Sequence, residues 1–306
     1  MTTHAEQNMI DAAVESATDV ADSAPFAAGS SNRYEITIDQ SRGGVLARLR
    51  EAFDLRGLLW MLVQRDIKTR YRQAALGIAW GILVPAATLA IYWFVFGYLL
   101  GRLGTGDVPY VLFLFPAMLG WKYFNSAIGR ASQSLKRDAS ILSKIYFPRL
   151  LLPVASIISP TIDVLLGGLV LVVILIATDH VPPWTTVFVP GFLLLGAVAA
   201  GGLGMGLAAF NAHYRDVQHF LPVVLHLGFF CTPVLYGSDR MPEAFRLLYA
   251  FNPMVTVCEG MRWAVLGHDT PLTLAMGLVS TAVAFVMLFG GLWAFMRFER
   301  NVVDVL

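Results

Sequence analysis

The chain has 306 residues, of which 57% are hydrophobic and 14% charged, with 22 basic and 21 acidic side chains and a mean hydropathy of +0.63. That apolar share lies above the range of a soluble domain and identifies an integral membrane protein. The near-zero net charge says little, because in a membrane protein the placement of charge matters more than its sum.

Residues 1–45 are rich in Ala, Ser and Thr with scattered acids (Glu6, Asp11, Glu15, Asp19, Asp22), a composition that predicts a disordered tail. It has neither the basic start nor the uninterrupted apolar core of a secretory signal, so insertion is expected to use the protein's own helices. Residues 46–72 predict an amphipathic helix flat on the bilayer surface: Leu49, Phe53, Leu58, Leu59, Leu62 and Val63 recur at helical intervals against Arg48, Arg50, Arg56, Arg65 and Lys68. A cytosolic linker helix is the plainer alternative. The helix ends in a basic collar, Arg65, Lys68, Arg70 and Arg72, and within a few residues the text turns apolar through Leu100. The chain enters the bilayer there.

A hydrocarbon core about 30 Å thick needs roughly 20 helical residues. Six segments meet that length: 74–100, 108–128, 150–178, 184–211, 217–235 and 272–296. The fold class expected is therefore an all-α integral membrane protein with six transmembrane helices, an N-terminal interfacial helix and two short external helices that re-enter the bilayer or lie on it. Those two come from the long loop 237–271, whose apolar runs 243–251 and 254–266 are separated by Asn252-Pro253. Lys and Arg gather at the collar, at Arg130, Lys136, Arg137, Lys144 and Arg149, at Arg215, and at Arg297 and Arg300. The positive-inside rule then puts both termini, including residues 301–306, in the cytoplasm. The cytoplasmic connection 129–149 carries Leu135, Ile141, Leu142 and Ile145 before Pro148, the pattern of a short amphipathic docking helix.

The sequence contains no Gly-Lys pair, so it lacks a phosphate loop and its own nucleotide site. Gly202 with Gly206 and Gly97 with Gly101 are small-xxx-small pairs suited to close helix packing. Cys231 and Cys258 show no metal-ligand spacing; they are two thiols or one bridge. His213, His219 and His226 do not share a helical face; His213 and His219 flank the turn Tyr214-Arg215-Asp216, and a loop position is expected for those two. No metal site is expected. Two charges fall inside predicted spans, Lys122 toward the cytoplasmic end of the second and Asp163 near the middle of the third. Lys122 can snorkel, whereas Asp163 serves either a structural hydrogen bond or the lining of a path. Trp80, Tyr92, Phe96, Tyr98, Trp121 and Tyr123 crowd the first two spans. Such rings either stack on sugar faces or form interfacial belts.

Arg65-Asp66-Ile67-Lys68-Thr69-Arg70-Tyr71-Arg72, then Leu76-Gly77, Trp80 and Pro85, resembles the opening signature of ABC-2 type permeases that export polysaccharides such as O-antigen, teichoic acid and galactan-like glycans. Lys144-Ile145-Tyr146-Phe147-Pro148-Arg149, Tyr214-Arg215-Asp216-Val217 and Asn252-Pro253-Met254 extend the resemblance, which covers about residues 46–300. It implies a homodimer of six-span subunits in the inner membrane, joined by two copies of an ABC ATP-binding subunit that holds ATP and Mg. The cargo implied is a glycan on a polyprenyl pyrophosphate, with no nucleic acid involved. By the same resemblance, residues 46–72 form the cytoplasmic gate and Leu135, Lys136, Arg137, Ile141, Leu142 and Lys144 couple to the ATPase. The collar cations suit a pyrophosphate headgroup or ordinary anionic membrane lipid. Lys122 stands where the family pattern calls for a neutral residue. Three other readings compete: an ABC-2 permease for a drug or lipid, a polyprenyl-dependent membrane glycosyltransferase, and a proton-coupled carrier using Asp163.

Overall fold

The computed structural model describes residues 54–72, 76–99, 108–142, 148–214, 216–240, 242, 245, 248–267 and 272–298, and all regular structure among them is helical. The expected tail 1–45, the start of the amphipathic helix and the C-terminal segment 301–306 lie outside the described residues.

Helix α1 is Arg56–Tyr71. Leu58 to Val63 are six consecutive apolar residues, and at 3.6 residues per turn such a run encircles the helix rather than forming one stripe. The structure departs from the expected single bilayer-facing stripe accordingly. Leu62 and Val63 are buried with Leu135, Leu151 and Phe295, whereas Trp60 and Met61 are exposed.

Five stretches are long and apolar enough to cross a membrane: Gly77–Leu99, Tyr110–Arg137, Leu151–Ala177, Trp184–His213 and Leu274–Phe298. The first contains α2 (Trp80–Tyr92) and a π-helical segment, Trp93–Leu99. The second is one continuous helix, α3 (Tyr110–Arg137). It runs nine residues past its expected end because nothing from Gly129 to Arg137 breaks it and Ala131 and Leu135 pack inward. The expected coupling region thus begins as the last turns of α3. A separate helical turn, Ala139–Leu142, follows.

The third stretch is divided by Pro160 into α4 (Leu151–Ile158) and α5 (Thr161–Ala177), since proline supplies no amide donor and its ring crowds the preceding turn. The fourth holds α6 (Val189–His213) and the last is α9 (Leu274–Phe298). Between them α7 (Val217–Cys231) has 15 residues, about 22 Å at 1.5 Å each, shorter than the segment 217–235 read from the sequence. Thr232 is extended, with φ −101° and ψ 144°, the conformation imposed by the following Pro233.

Helix α8 (Pro253–Leu266) is capped by Asn252, whose Oδ1 accepts from the Met254 amide at 3.0 Å, and closes on Gly267 in the left-handed region. All of its residues except Trp263 are buried, so it enters the bundle rather than resting on a surface. The companion run 243–251 falls largely outside the described residues.

The centre of the bundle is α3. Over its most apolar stretch 72% of residues are buried, against 11% for the span containing α2. Gly204 of α6 faces Ala131 of α3, while a side chain on Gly202 would fall on the backbone of Met287 in α9. The Gly202 and Gly206 pair is therefore a close-packing surface, as its spacing suggested.

Candidate functional site

One face of α3 is left open by its neighbours from Lys122 to Arg137. Lys122, Asn125, Ser126, Arg130, Gln133 and Arg137 recur at intervals of one, three and four, which keeps them on one side of a helix. They line three adjoining clefts of about 320, 370 and 370 Å³. The first two clefts share Asn125 and Ser126, and the second and third share Arg130 and Arg137, so the three form one groove. At one end it opens by α1. At the other its walls are α2 and α7.

The end by α1 is a closed charge network. Asp66 and Asp138 are buried. Arg65 Nη2 donates to Asp66 Oδ1 at 2.9 Å and to Asp138 Oδ2 at 2.8 Å. Arg137 Nη2 donates to Asp66 Oδ2 at 2.9 Å and to Ser156 Oγ at 3.1 Å. Burial opposes the Arg65 charge, but the hydrogen bonds and negative charges of Asp138 and Asp66 outweigh it and hold its pKa above the ordinary value. Further along α1, both Arg70 and Tyr71 donate to Asp163. Burial, reinforced by the Asp163 bond, pushes the Tyr71 hydroxyl upward, so it remains protonated at neutral pH. Of the four collar cations, Arg65 and Arg70 are thus committed to carboxylates, and Lys68 and Arg72 are exposed. Asp163 makes structural hydrogen bonds that anchor α1 to α5.

The inner end of the groove is different in kind. Tyr92, Trp121, Lys122, Asn125, Ser126 and His226 line it, with Phe229 stacked on Tyr92 at 5.7 Å and edge-on to Trp121 at 6.1 Å. No carboxylate lines this cleft or the next. Lys122 and Arg130 are half-buried and have no hydrogen bond or ion pair among the described residues. Because α3 extends to Arg137, Lys122 lies about 18 Å from Tyr110 and about 22 Å from Arg137 along the axis. It sits near mid-helix rather than toward one end.

The other expected residues are dispersed. Trp80 and Tyr98 are exposed, Tyr98 stacking on Phe94 at 5.9 Å. Phe96 meets the edge of Tyr92 at 6.2 Å. Tyr123 is buried away from the groove and donates to the Ile157 carbonyl at 3.1 Å. Leu135 is in the core, and Lys136 Nζ donates to Asn211 Oδ1 at 3.1 Å. Ile141 and Leu142 lie on the turn Ala139–Leu142, and Lys144 is outside the described residues. His213 ends α6 and His219 lies in the first turn of α7, so neither occupies the loop expected for it, and His226 lies within α7. Arg130 is expected from the sequence only as a cytoplasmic-side cation, Asp66 only as part of the opening signature and His226 only as one of three scattered histidines, none of them as site residues, and Asp138 carries no expectation. The three- and four-residue recurrence of polar side chains on α3 is the signal that finds Arg130.

The far end is stapled by a second buried pair. Arg262 Nη1 donates to Glu259 Oε1 at 3.1 Å, and its other donors reach the carbonyls of Phe113 at 3.0 Å and Val234 at 2.6 Å. Glu259 also accepts from the Ser238 amide at 2.8 Å. These bonds tie α8 to the start of α3 and to the turn after α7. Cys231 is exposed and Cys258 buried, both as free thiols. No metal-ligating cluster occurs among the described residues.

A family profile described as ABC-2 type transporter matches residues 57–266. The chain is 32% identical over 248 residues to the O-antigen export system permease protein RfbA of Myxococcus xanthus, covering 80% of this chain and 92% of the relative. It is 28% identical over 207 residues to the protein of the same name from Klebsiella pneumoniae, covering 67% and 78% respectively. A further relative is the polysialic acid transport protein KpsM of Escherichia coli, 24% identical over 212 residues, covering 67% of this chain and 80% of that one.

Proposed function

This chain belongs to the ABC-2 type transporter family, and from that membership we propose that it is the membrane permease of an ATP-driven exporter of polysaccharide carried on a polyprenyl diphosphate. The observation that carries the reading is the groove along α3. A polymer of sugars needs a path with ring faces to slide on and uncharged donors to exchange hydrogen bonds with, and Tyr92, Trp121, Asn125 and Ser126 supply both. The groove is open along one side, so a second copy facing it completes a channel; this supports a homodimer.

In this reading α7, with its following turn, is the sixth crossing of a domain spanning 73–300, and both termini are cytoplasmic. The end by α1 is then the cytoplasmic mouth, with 46–72 as its gate. ATP and Mg are bound by a separate ATPase that docks on the region 129–149. Its motion reaches the gate through Arg137, which joins the end of α3 to Asp66 of α1. The nucleotide and its metal supply the driving energy on that partner, and this chain binds and guides the cargo.

The experiment is depletion of the permease in its native host. Lipid-linked polymer is expected to accumulate inside the cell while surface polysaccharide falls. Unchanged surface polysaccharide, with no redundant exporter present, contradicts the proposal.

A further inference from the structure

We propose that Lys122 and Arg130 form a two-step oxyanion station inside the α3 groove, which takes the diphosphate headgroup of the lipid-linked cargo past the gate and toward the middle of the membrane. The inference rests on the exporter reading above and assigns that cargo a site on this chain.

The reasoning starts from how the cations are partnered. At the groove mouth Arg65 holds Asp66 and Asp138, Arg137 holds Asp66, and Arg70 holds Asp163. An arriving phosphate must break a partly buried ion pair to use any of them. Arg130 lines both the mouth cleft and the one behind it, and it is the first half-buried cation inward with no acceptor among the described residues. Lys122 is the next. The nearby carboxylate, Asp163, is already engaged by Arg70 and Tyr71.

A cation on a membrane-spanning helix without a direct partner is costly, and such residues mark ion or substrate paths. Here two lie on one helix face, eight residues and about 12 Å apart along the axis. Asn125 and Ser126 stand between them and line the clefts on both sides. The order of side chains fits a headgroup in transit. The planar guanidinium of Arg130 can take two phosphate oxygens at once, while the flexible ammonium of Lys122 is a point charge that follows a moving anion. Between them an amide and a hydroxyl donate hydrogen bonds without adding charge. Tyr92 and Trp121 flank Lys122, so a sugar next to the diphosphate meets ring faces at that position.

The test uses the full-length chain in detergent and measures binding of radiolabelled geranylgeranyl diphosphate. The expected result is binding that inorganic pyrophosphate displaces, weakened about ten-fold or more by Lys122→Gln and by Arg130→Gln. Lys122→Arg and Arg130→Lys keep most of it, which separates lost charge from lost folding. Wild-type affinity in both Gln variants overturns the station. So does equal displacement by phosphatidylglycerol, which makes it an ordinary anionic-lipid site. Trigalacturonate supplies a third arm. If it binds in a Lys122-dependent way and the diphosphate does not, the groove reads acidic sugars and the headgroup assignment falls. Cells separate this inference from the one beneath it. If deletion of the permease leaves surface polysaccharide unchanged, the exporter reading itself fails. If deletion traps precursor yet Lys122→Gln and Arg130→Gln bind and export as wild type, only the station fails.

Discussion

At the mouth of the groove, Arg65 and Arg137 share the buried carboxylates of Asp66 and Asp138. Seven and fifteen residues back along α3 from Arg137, Arg130 and Lys122 make no hydrogen bond or ion pair among the described residues, and the nearby Asp163 is held by Arg70 and Tyr71. Both regions are basic and both line the same groove, but the cost of a partly buried charge is met in opposite ways. At the mouth the protein supplies the counter-ions, and the pairs fasten α1 to the end of α3. Farther in it supplies no direct partner, only the field of carboxylates already bound elsewhere, which leaves these cations free to meet water or cargo. Charge that is paired within the protein is therefore expected to govern stability, and charge that is unpaired is expected to govern transport.

The largest stability effect belongs to the far-end staple, the most enclosed of the paired charges. Arg262→Met leaves Glu259 without its cation in a pair whose side chains are only 2% exposed and removes the donors to the carbonyls of Phe113, Val234 and Tyr236. A loss of about 3–5 kcal/mol is expected, read as a lowered unfolding midpoint in detergent. Asp66→Asn comes next. It strips a partner from Arg65 and Arg137, but both arginines are about one-third exposed and water compensates in part. About 2 kcal/mol is expected, together with faster proteolysis of α1. Lys122→Gln reverses the pattern. Its unfolding midpoint is expected to equal or exceed that of the wild type, because a half-buried charge with no direct partner has been removed, while export falls. Smallest is the pair Lys68→Gln with Arg72→Gln, both exposed, which is expected to shift stability by no more than about 0.5 kcal/mol. A large destabilisation in that double variant would show that the exposed part of the collar is structural as well.

Most of the helical layout was legible in the sequence, because long apolar runs and a basic collar are local signals. The departures also have local causes in retrospect: Pro160 divides one span, Pro233 shortens another, and the absence of a breaker after Ile128 lets α3 run on to Arg137. The site was legible only in part. Tyr92, Trp121 and Lys122 were marked as candidates and do meet in the inner cleft, since all three are unusual within apolar text. The collar looks uniform from the sequence, which gives Arg65 and Arg70 the same expectation as Lys68 and Arg72, a diphosphate headgroup or ordinary anionic lipid. The acceptors of Arg65 and Arg70 lie 73 and 93 residues away, and only the fold brings Asp138 and Asp163 to them. Leu135 looked like a docking residue for a similar reason. Its apolar side chain belongs to an amphipathic pattern, but the pattern does not say which neighbour covers it, and here the neighbours are Leu62, Leu151 and Phe295.

The distinction between paired and unpaired cations is tested most directly by measuring Lys122→Gln twice, once for its unfolding midpoint in detergent and once for lipid-linked polymer retained in cells that depend on it. The expected result is a midpoint no lower than wild type together with retained polymer and reduced surface polysaccharide. A lowered midpoint with export reduced only in proportion to the loss of folded protein would contradict it, and would make Lys122 one more structural charge like those at the mouth.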